Sequence, residues 1–256
     1  MSDELTYEVE GEIGVITITR PDSLNALNTS VNEQIRDALE SFESADVRAV
    51  LIESSGDRAF VAGADLKEIH GMSVDEFISY QKNGRRTNDA IAAHPKPVIA
   101  VVDGLAYGGG FEVALAADMV VSTPDAKFAL PEAKLGLLPG GGGTQRLTRI
   151  AGTNATKELL MTGEPIDGER AHQLGIVNRL ADDPSREARE LADELTATGP
   201  LATAAAKELV DEGIQAPLDT ALTLEQEVTF TLYGSDDTSE GIEAFVESRT
   251  PEFTGE

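Results

Sequence analysis

Residues 98–122 read VIAVVDGLAYGGGFEVALAADMVVS, with an apolar strand pattern on each side of a short apolar helix pattern. The two strand segments, Val98–Val102 and Met119–Ser122, are short runs dominated by β-branched residues, as in strands buried on both faces. Between them, Gly108 opens a run of helix-forming composition that ends at Ala117. The order strand, helix, strand predicts a parallel β-α-β unit.

The same alternation extends outward in both directions, to about residue 180. Further strands are predicted on both sides of Gly11, at 47–52 and at 128–130. Helices are predicted from Ser30 and from Ser73, where Ser-x-x-Glu patterns indicate capping boxes. From Pro184 onward the pattern is helical only, with candidate helices at 185–197, 200–213, 217–233 and 236–248. The sequence therefore predicts an α/β body followed by an all-helical C-terminal part.

The composition is strongly acidic, with 20 Lys and Arg residues against 46 Asp and Glu residues and a net charge of −26. Such a charge opposes binding to nucleic acid, which requires a basic face. It also repels itself unless salt screens it, and molar salt shortens the Debye length to about 3 Å. We therefore interpret the charge as a halophilic adaptation. A protein that is fully folded and active in dilute buffer and gains nothing from molar KCl would contradict this interpretation.

Other features predict a cytoplasmic protein without a metal site. No apolar run reaches the roughly 18 residues that a membrane helix needs, and residues 1–4 lack the basic-then-apolar order of a signal peptide. The chain has no cysteine, which excludes disulfides and cysteine metal sites. His70, His94 and His172 are scattered without H-E-x-x-H spacing, so we expect them to be structural or on the surface.

Two glutamates lie in otherwise apolar segments beside glycines. Glu112 follows Gly108–Gly110 in the short apolar helix, and Glu132 follows Pro131 ahead of a glycine run. A carboxylate buried alone loses several kcal/mol of hydration, so such positions are rarely filled without a partner or a task. Two carboxylates in one site can divide the work of a general acid and a general base.

Three segments could supply backbone donors near these glutamates. The first N–H groups of the helix at Gly108–Gly110 lack internal partners and favour an anion, although the glycines also fit a tight turn with close helix packing. Residues 59–67, with Gly63, could supply a second donor or form an ordinary loop. The glycine run at 139–146 lacks the Gly-Lys-[Ser/Thr] ending of a phosphate loop.

Together these segments resemble the enoyl-CoA hydratase/isomerase family, the crotonase superfamily. The resemblance spans nearly the whole chain and is specific because several motifs occur in the same order and spacing. They are TRPDSLNAL at 19–27, AGADLK at 62–67, the strand and turn from Lys96 to Gly110, Pro131-Glu132 with its glycine-rich sequel, TGEPI at 162–166, GIV at 175–177 and EGIEAFVE at 240–247.

The resemblance implies an α/β fold, a crotonase-like spiral of ββα units. It assigns residues 1–195 to the catalytic domain and residues 196–256 to a helical segment used in trimer formation, giving a homotrimer or homohexamer. The implied substrate is an acyl-CoA thioester. No cofactor is expected, since coenzyme A is part of the substrate, and neither nucleic acid nor a membrane is expected as a partner.

The resemblance also assigns site residues. Glu112 and Glu132 occupy the positions of two catalytic glutamates, and Ala64 and Gly109 those of two oxyanion N–H donors. Further substrate-binding positions are Ala62, Asp65, Leu66 and Lys67 beside coenzyme A, and Gly140, whose N–H contacts the water or simply forms a turn. Many relatives carry a lysine where this chain has Ser248, so the grip on the nucleotide end of coenzyme A is left open.

The activity implied is that of an enoyl-CoA hydratase, which reversibly adds water in the syn sense to a 2-trans-enoyl-CoA and forms a 3-hydroxyacyl-CoA. Glu112 is assigned to the water and Glu132 to proton delivery at C2. Two alternatives are an enoyl-CoA isomerase, which needs one base, and a non-catalytic binding protein on the same fold. The filled pair of glutamates favours hydration, and the net charge argues against RNA binding.

Overall fold

The computed structural model describes residues 4–256 and contains ten strands within that range. The prediction that the chain lacks a signal peptide rests on residues 1–4. Of these, only Glu4 lies in the described range. The strands are β1 (Leu5–Glu10), β2 (Ile13–Ile18), β3 (Ala49–Ser54), β4 (Ala59–Val61), β5 (Val98–Val102), β6 (Leu105–Tyr107), β7 (Met119–Ser122), β8 (Lys127–Ala129), β9 (Ile166–Asp167) and β10 (Arg179–Leu180).

Ten α-helices connect and follow these strands in the described range, and none of them is long and apolar enough to cross a membrane. The helices are α1 (Thr29–Glu43), α2 (Leu66–Ile69), α3 (Val74–Ala93), α4 (Gly109–Ala116), α5 (Gly143–Thr162), α6 (Gly168–Gln173), α7 (Pro184–Thr196), α8 (Pro200–Gly213), α9 (Leu218–Tyr233) and α10 (Asp236–Glu247).

The strands form two sheets, and the chain alternates between them. The larger sheet has the order β1-β2-β3-β5-β7-β10 and is parallel except for the β1–β2 hairpin. The smaller sheet has the order β4-β6-β8-β9 and is parallel except for β8–β9. The successive pairs β3–β4, β5–β6 and β7–β8 each give one strand to each sheet, and helices follow the pairs. The predicted succession of ββα units is therefore present.

The inner strands of the larger sheet, β2, β3, β5 and β7, are buried on both faces, which explains their continuous apolar sequences. On one face, Leu51 and Ile99 pack in a cluster with Ala188 and Leu191 of α7. On the other face, alternate strand residues join the main core between the sheets and helices α1, α3 and α4. In that core the rings of Phe111 and Phe128 meet edge to face, with centroids 5.3 Å apart.

The C-terminal helices are as predicted but bury little. Helices α8 and α9 contain no buried residue in the isolated chain, and α10 buries only Asp237 and Ala244. Large apolar side chains are exposed on all three helices, namely Val210, Leu218, Leu222, Leu224, Phe230, Tyr233, Ile242, Phe245 and Val246, and Ile214, the C-cap residue of α8, is exposed as well. The division at residue 195 stays a prediction.

The sequence patterns found most element positions but misread one helix start. The capping box at Ser73 and Glu76 is present, with both reciprocal hydrogen bonds. The capping box predicted at Ser30 is wrong, because the N-cap of α1 is Asn28, whose side chain accepts a hydrogen bond from Val31 N at 2.7 Å. The elements that were not predicted are β4, β6, β9, β10, α2, α5 and α6, and β4 lies in the segment at 59–67 for which an ordinary loop was one expectation. Strand β6 shows why short elements were missed. Three residues between glycines are too short to show a strand period.

Candidate active site

A cavity opens between α3, the start of α4 and three loops. Its walls include the backbone of the Gly63 and Gly108 turns and the side chains of both predicted glutamates. The lining residues are Leu27, Asn32, Ala62, Gly63, Ala64, Leu66, Ile69, Phe77, Tyr80, Gln81, Gly84, Asn88, Tyr107, Gly108, Gly109, Glu112, Pro131, Glu132, Leu135, Leu137, Leu138, Gly140 and Gly141.

The turn before α4 requires glycine at two positions. Gly108 has φ of +49° and ψ of −120°, a conformation that L residues with a Cβ rarely adopt. At Gly110, a Cβ would overlap the carbonyl oxygen of Val61. These glycines let the first turn of α4 pack directly on β4. The N–H of Gly109, the first helical residue, donates to no other atom of the described residues.

Ala64 lies beside this turn and is fixed by its chain neighbours. Leu27 N donates to Gly63 O, and Asp65 N donates to Leu27 O, both at 2.8 Å. Since N–H groups alternate in direction along an extended chain, the N–H of Ala64 points away from Leu27. Among the described residues it has no acceptor. A Cβ on Gly109 would lie 3.9 Å from Ala64 N, so the two free donors are neighbours.

Glu112 is buried, with 5% of its surface exposed, and α4 aims it into the cavity. Its Oε1 accepts hydrogen bonds from Gly141 N and Gly143 N, each at 2.8 Å. Burial raises the pKa of Glu112 most, the nearby Glu132 charge also raises it, and the Gly143 and Gly141 N–H donors lower it, so that the pKa is about 7. Oε2 makes no hydrogen bond to the described residues.

Glu132 lies on the opposite wall, in a 3₁₀ helix at Pro131–Leu135. Its Oε2 is buried and has no hydrogen-bond partner among the described residues. A Cβ at Gly108 would lie 3.0 Å from its Oε1, which puts this carboxyl group against the turn before α4. Burial raises the pKa of Glu132 above its ordinary value.

The remaining predicted positions divide into two groups. Ala62, Leu66 and Gly140 line the cavity. Asp65 and Lys67 do not. The Asp65 side chain instead caps α2 by accepting from Lys67 N at 3.1 Å, and it pairs with Arg20 at 3.0 Å. Lys67 is exposed at the start of α2.

Sequence reasoning missed four residues that support the site. Gly141 and Gly143 hold Glu112, whereas only the neighbouring Gly140 had been singled out. Asn88 Nδ2 donates to Gly141 O at 3.0 Å, and Tyr80 Oη donates to Leu27 O at 2.7 Å. The glycine run was a visible signal. For Asn88 and Tyr80 the only signal was a polar residue on the buried side of α3, which does not identify its partner.

The histidines lie outside the cavity lining, as expected. His94 is buried, with its ring nitrogens 3.2 Å and 3.3 Å from Lys96 O and Leu39 O. His172 contacts Val177 O, and His70 is exposed. Across residues 4–256, no three His, Asp or Glu side chains are grouped as ligands for a metal ion.

Comparison with known proteins tests the family resemblance predicted from the sequence. The family model for enoyl-CoA hydratase/isomerase matches residues 8–256. The chain belongs to this family. Among curated relatives, the short-chain-enoyl-CoA hydratase of Clostridium acetobutylicum is 35% identical over 251 residues, covering 96% of each chain. The crotonyl-CoA hydratase of Syntrophomonas wolfei is 35% identical over 254 residues, covering 98% of each.

Solved structures of the family share the whole fold. The enoyl-CoA hydratase structure from Bacillus anthracis superposes with a TM-score of 0.96 at 34% identity, covering 99% of this chain and all of that one. An enoyl-CoA hydratase subunit from Geobacillus kaustophilus gives 0.93 at 38% identity, covering 99% and 98%. The fold class predicted from the sequence, an α/β spiral with a helical C-terminal region, is confirmed.

Proposed function

We propose that this protein is an enoyl-CoA hydratase, which adds water reversibly and in the syn sense to a 2-trans-enoyl-CoA. One observation carries the proposal. Glu112 and Glu132 face one cavity, both with a raised pKa, beside two backbone N–H groups that have no acceptor within residues 4–256. Two carboxyl groups of raised pKa can share one proton near neutral pH, which allows one to act as base and the other as acid.

The two free N–H groups suit the charge that the reaction creates. Attack of water at C3 moves an electron pair onto the thioester oxygen and forms an enolate. Donors from Ala64 and Gly109, already aimed into the cavity, stabilise this oxygen without reorganising. Both donors are backbone atoms, so their direction is fixed by the Leu27 bridge and by the first turn of α4.

The glutamates then divide the proton transfers. Glu112 accepts a proton from the water molecule while the water oxygen bonds to C3. Glu132 delivers a proton to C2. Because Gly141 N and Gly143 N occupy Oε1 of Glu112, its Oε2 is the oxygen left to receive the proton. A water molecule exchanging protons between the two carboxyl groups restores the starting state.

The binding residues are proposed from the same cavity. Leu66, Leu135 and Leu138 are exposed apolar residues along its lining, and they suit the acyl and thioester part of an acyl-CoA. We propose that Ala62, Leu66 and Gly140 contact the substrate. Asp65 and Lys67 lie outside the cavity lining, and we propose that Asp65 supports the site by capping α2 and that Lys67 lies beside the coenzyme A part of the substrate. No cofactor beyond the substrate's own coenzyme A is required by this chemistry.

We further propose the assembly and domain division that the family resemblance implies. The exposed apolar residues of α8–α10 support a segment at 196–256 that binds other copies in a trimer or hexamer. A solution mass equal to one chain would contradict this proposal.

Solvent labelling tests the proposed function. Crotonyl-CoA incubated with the protein in H₂¹⁸O should lose its enone absorbance and give 3-hydroxybutyryl-CoA with ¹⁸O on C3. The same protein given a 3-enoyl-CoA should not shift the double bond at a comparable rate. Double-bond migration without incorporation of label would favour the isomerase, and no conversion of either substrate would favour a binding protein.

A further inference from the structure

Helix α3 contacts both halves of the cavity through two buried polar side chains. We propose that α3 is the positioning element of the site. Asn88 holds the loop whose N–H groups donate to Glu112, and Tyr80 holds the segment from Gly63 to Asp65, which contains Ala64. The inference rests on the proposed function for its kinetic consequences. Neither side chain needs to touch the reacting atoms, so both are positioning residues.

Asn88 acts on the loop that cradles Glu112. It is 3% exposed, and its Nδ2 donates to Gly141 O at 3.0 Å. The N–H of the same residue, Gly141, donates to Glu112 Oε1 at 2.8 Å. A Cβ on Gly141 would collide with both Asn88 and Glu112, so this loop is closely packed between them. Asn88 therefore fixes the direction of a donor on which the state of Glu112 depends.

Tyr80 acts on the other half of the cavity. Its side chain is 8% exposed, and its hydroxyl donates to Leu27 O at 2.7 Å. The same carbonyl oxygen accepts from Asp65 N, and Leu27 N donates to Gly63 O. Leu27 thus fixes the residues on both sides of Ala64. Burial raises the pKa of Tyr80, so its hydroxyl stays a donor in the physiological range.

Helix α3 is also held by hydrogen bonds to α1, which fix the position from which Tyr80 and Asn88 make their contacts. Thr87 Oγ1 donates to Asn32 O of α1 at 3.0 Å. Arg36 of α1 donates to Thr87 Oγ1 at 2.7 Å and to Asn83 Oδ1 at 2.8 Å. Tyr80 and Asn88 are separated by about 12 Å along the axis, at 1.5 Å per residue. One rigid helix therefore sets the spacing between the Ala64 donor and Glu112.

Three substitutions separate positioning from simple destabilisation. Asn88→Leu keeps the side-chain volume and removes the donor to Gly141 O, and Asn88→Ala serves if the leucine variant does not fold. Tyr80→Phe removes only the hydroxyl. Ser79→Ala is the control on the same helix, because Ser79 is exposed, lies outside the cavity lining, and its Oγ donates only to Asp75 O, at 2.9 Å.

The first readout needs no substrate. Infrared difference spectra recorded over a pH titration report protonated carboxyl groups, and Glu112→Gln identifies the band of Glu112. The charged groups that bear on Glu112 are Glu132 and Arg146 of α5, and the variants leave both in place. Asn88→Leu should move the Glu112 titration to higher pH, because loosened N–H donors stabilise its charge less. Tyr80→Phe and Ser79→Ala should not move this titration.

The second readout is hydration of crotonyl-CoA. Asn88→Leu and Tyr80→Phe should each lower kcat by about tenfold, the size expected for one lost hydrogen bond of this kind, with KM within about twofold. Ser79→Ala should match the parent in both constants. The acid limb of the pH profile should shift upward in Asn88→Leu alone.

The outcomes distinguish this inference from the proposed function. An unchanged Glu112 titration in Asn88→Leu and Asn88→Ala overturns the role of Asn88. A kcat of Tyr80→Phe equal to that of Ser79→Ala overturns the role of Tyr80. A parent protein that does not hydrate crotonyl-CoA refutes the proposed function, while the infrared titration still tests the contact between Asn88 and the Glu112 loop.

Discussion

The chemistry of the site depends on the balance of forces on one residue, Glu112. Burial disfavours its charged form, and two N–H donors on Oε1 favour that form. Burial is the larger effect, so the pKa rises to about 7 instead of falling. A carboxyl group poised near neutral pH can both accept and return a proton, which an exposed glutamate of ordinary pKa does poorly.

The raised pKa of Glu112 should lower the stability of the folded protein at alkaline pH. The pKa of Glu112 is raised from 4.5 to about 7, so its contribution to stability is present below the unfolded value and is lost as pH rises through about 7. Glu112→Gln should therefore be more stable than the parent at about pH 8, by roughly 3 kcal/mol, and similar to it near pH 4.5. Urea unfolding at the two pH values measures the difference.

The control for this prediction is Glu33→Gln, which changes an exposed glutamate of α1. It should leave the pH dependence of stability as it is in the parent. A Glu112→Gln variant that is destabilised equally at both pH values would show that ionisation of Glu112 carries no stability cost.

At the level of elements, the sequence predicted which segments are helical better than it predicted where each helix starts. Helix α4 was predicted from apolar composition, and Glu112 on it was predicted as a functional residue. The Ser30 capping box failed because Asn28, two residues earlier, is an equally good cap and its side chain reaches Val31 N. The patterns located α1, α3, α4 and α7–α10 but missed the 20-residue helix α5, and they did not decide between two nearby capping residues.

The start of α4 also offers a test of the Gly109 donor. Gly109→Pro removes the N–H, and proline is tolerated at the first helical position. Gly109→Ala is the matched control, because it keeps the N–H and adds a Cβ 3.3 Å from Leu27 Cδ1. Proline should lower kcat by about 10²- to 10³-fold relative to alanine, the usual effect of losing one such donor. Equal kcat in the two variants, or a change confined to KM, would contradict the assignment.

For the whole molecule, the sequence predicted more of the fold than of the site. Strand and helix alternation predicted the α/β body, and the apolar C-terminal helices were located to within one or two residues. The site joins residues far apart in the chain, and the contact between Asn88 and Gly141 spans 53 positions. No local period reports such a contact, so its partners became visible only in three dimensions. The resemblance supplied the motif residues, Ala64 and Gly109 among them, but not the side chains that hold them.

The net charge of −26 also belongs to the whole molecule. Several arginines bind two or more acidic partners, as Arg189 does with Glu10 and Glu53, and these pairs offset part of the repulsion locally. Each exposed ion pair contributes little to stability, so these pairs leave most of the repulsion between acidic side chains in place. The halophilic interpretation is a proposal that rests on this surplus.

The central claim is that Glu112 and Glu132 together add water to an enoyl-CoA. The most direct measurement compares crotonyl-CoA hydration by the parent, Glu112→Gln, Glu132→Gln and the exposed control Glu33→Gln. The account predicts parent-like rates for Glu33→Gln and a loss of kcat of at least about 10²-fold for each of the other two, since each removes a proton-transfer group. Parent-like activity in either Glu112→Gln or Glu132→Gln would contradict it.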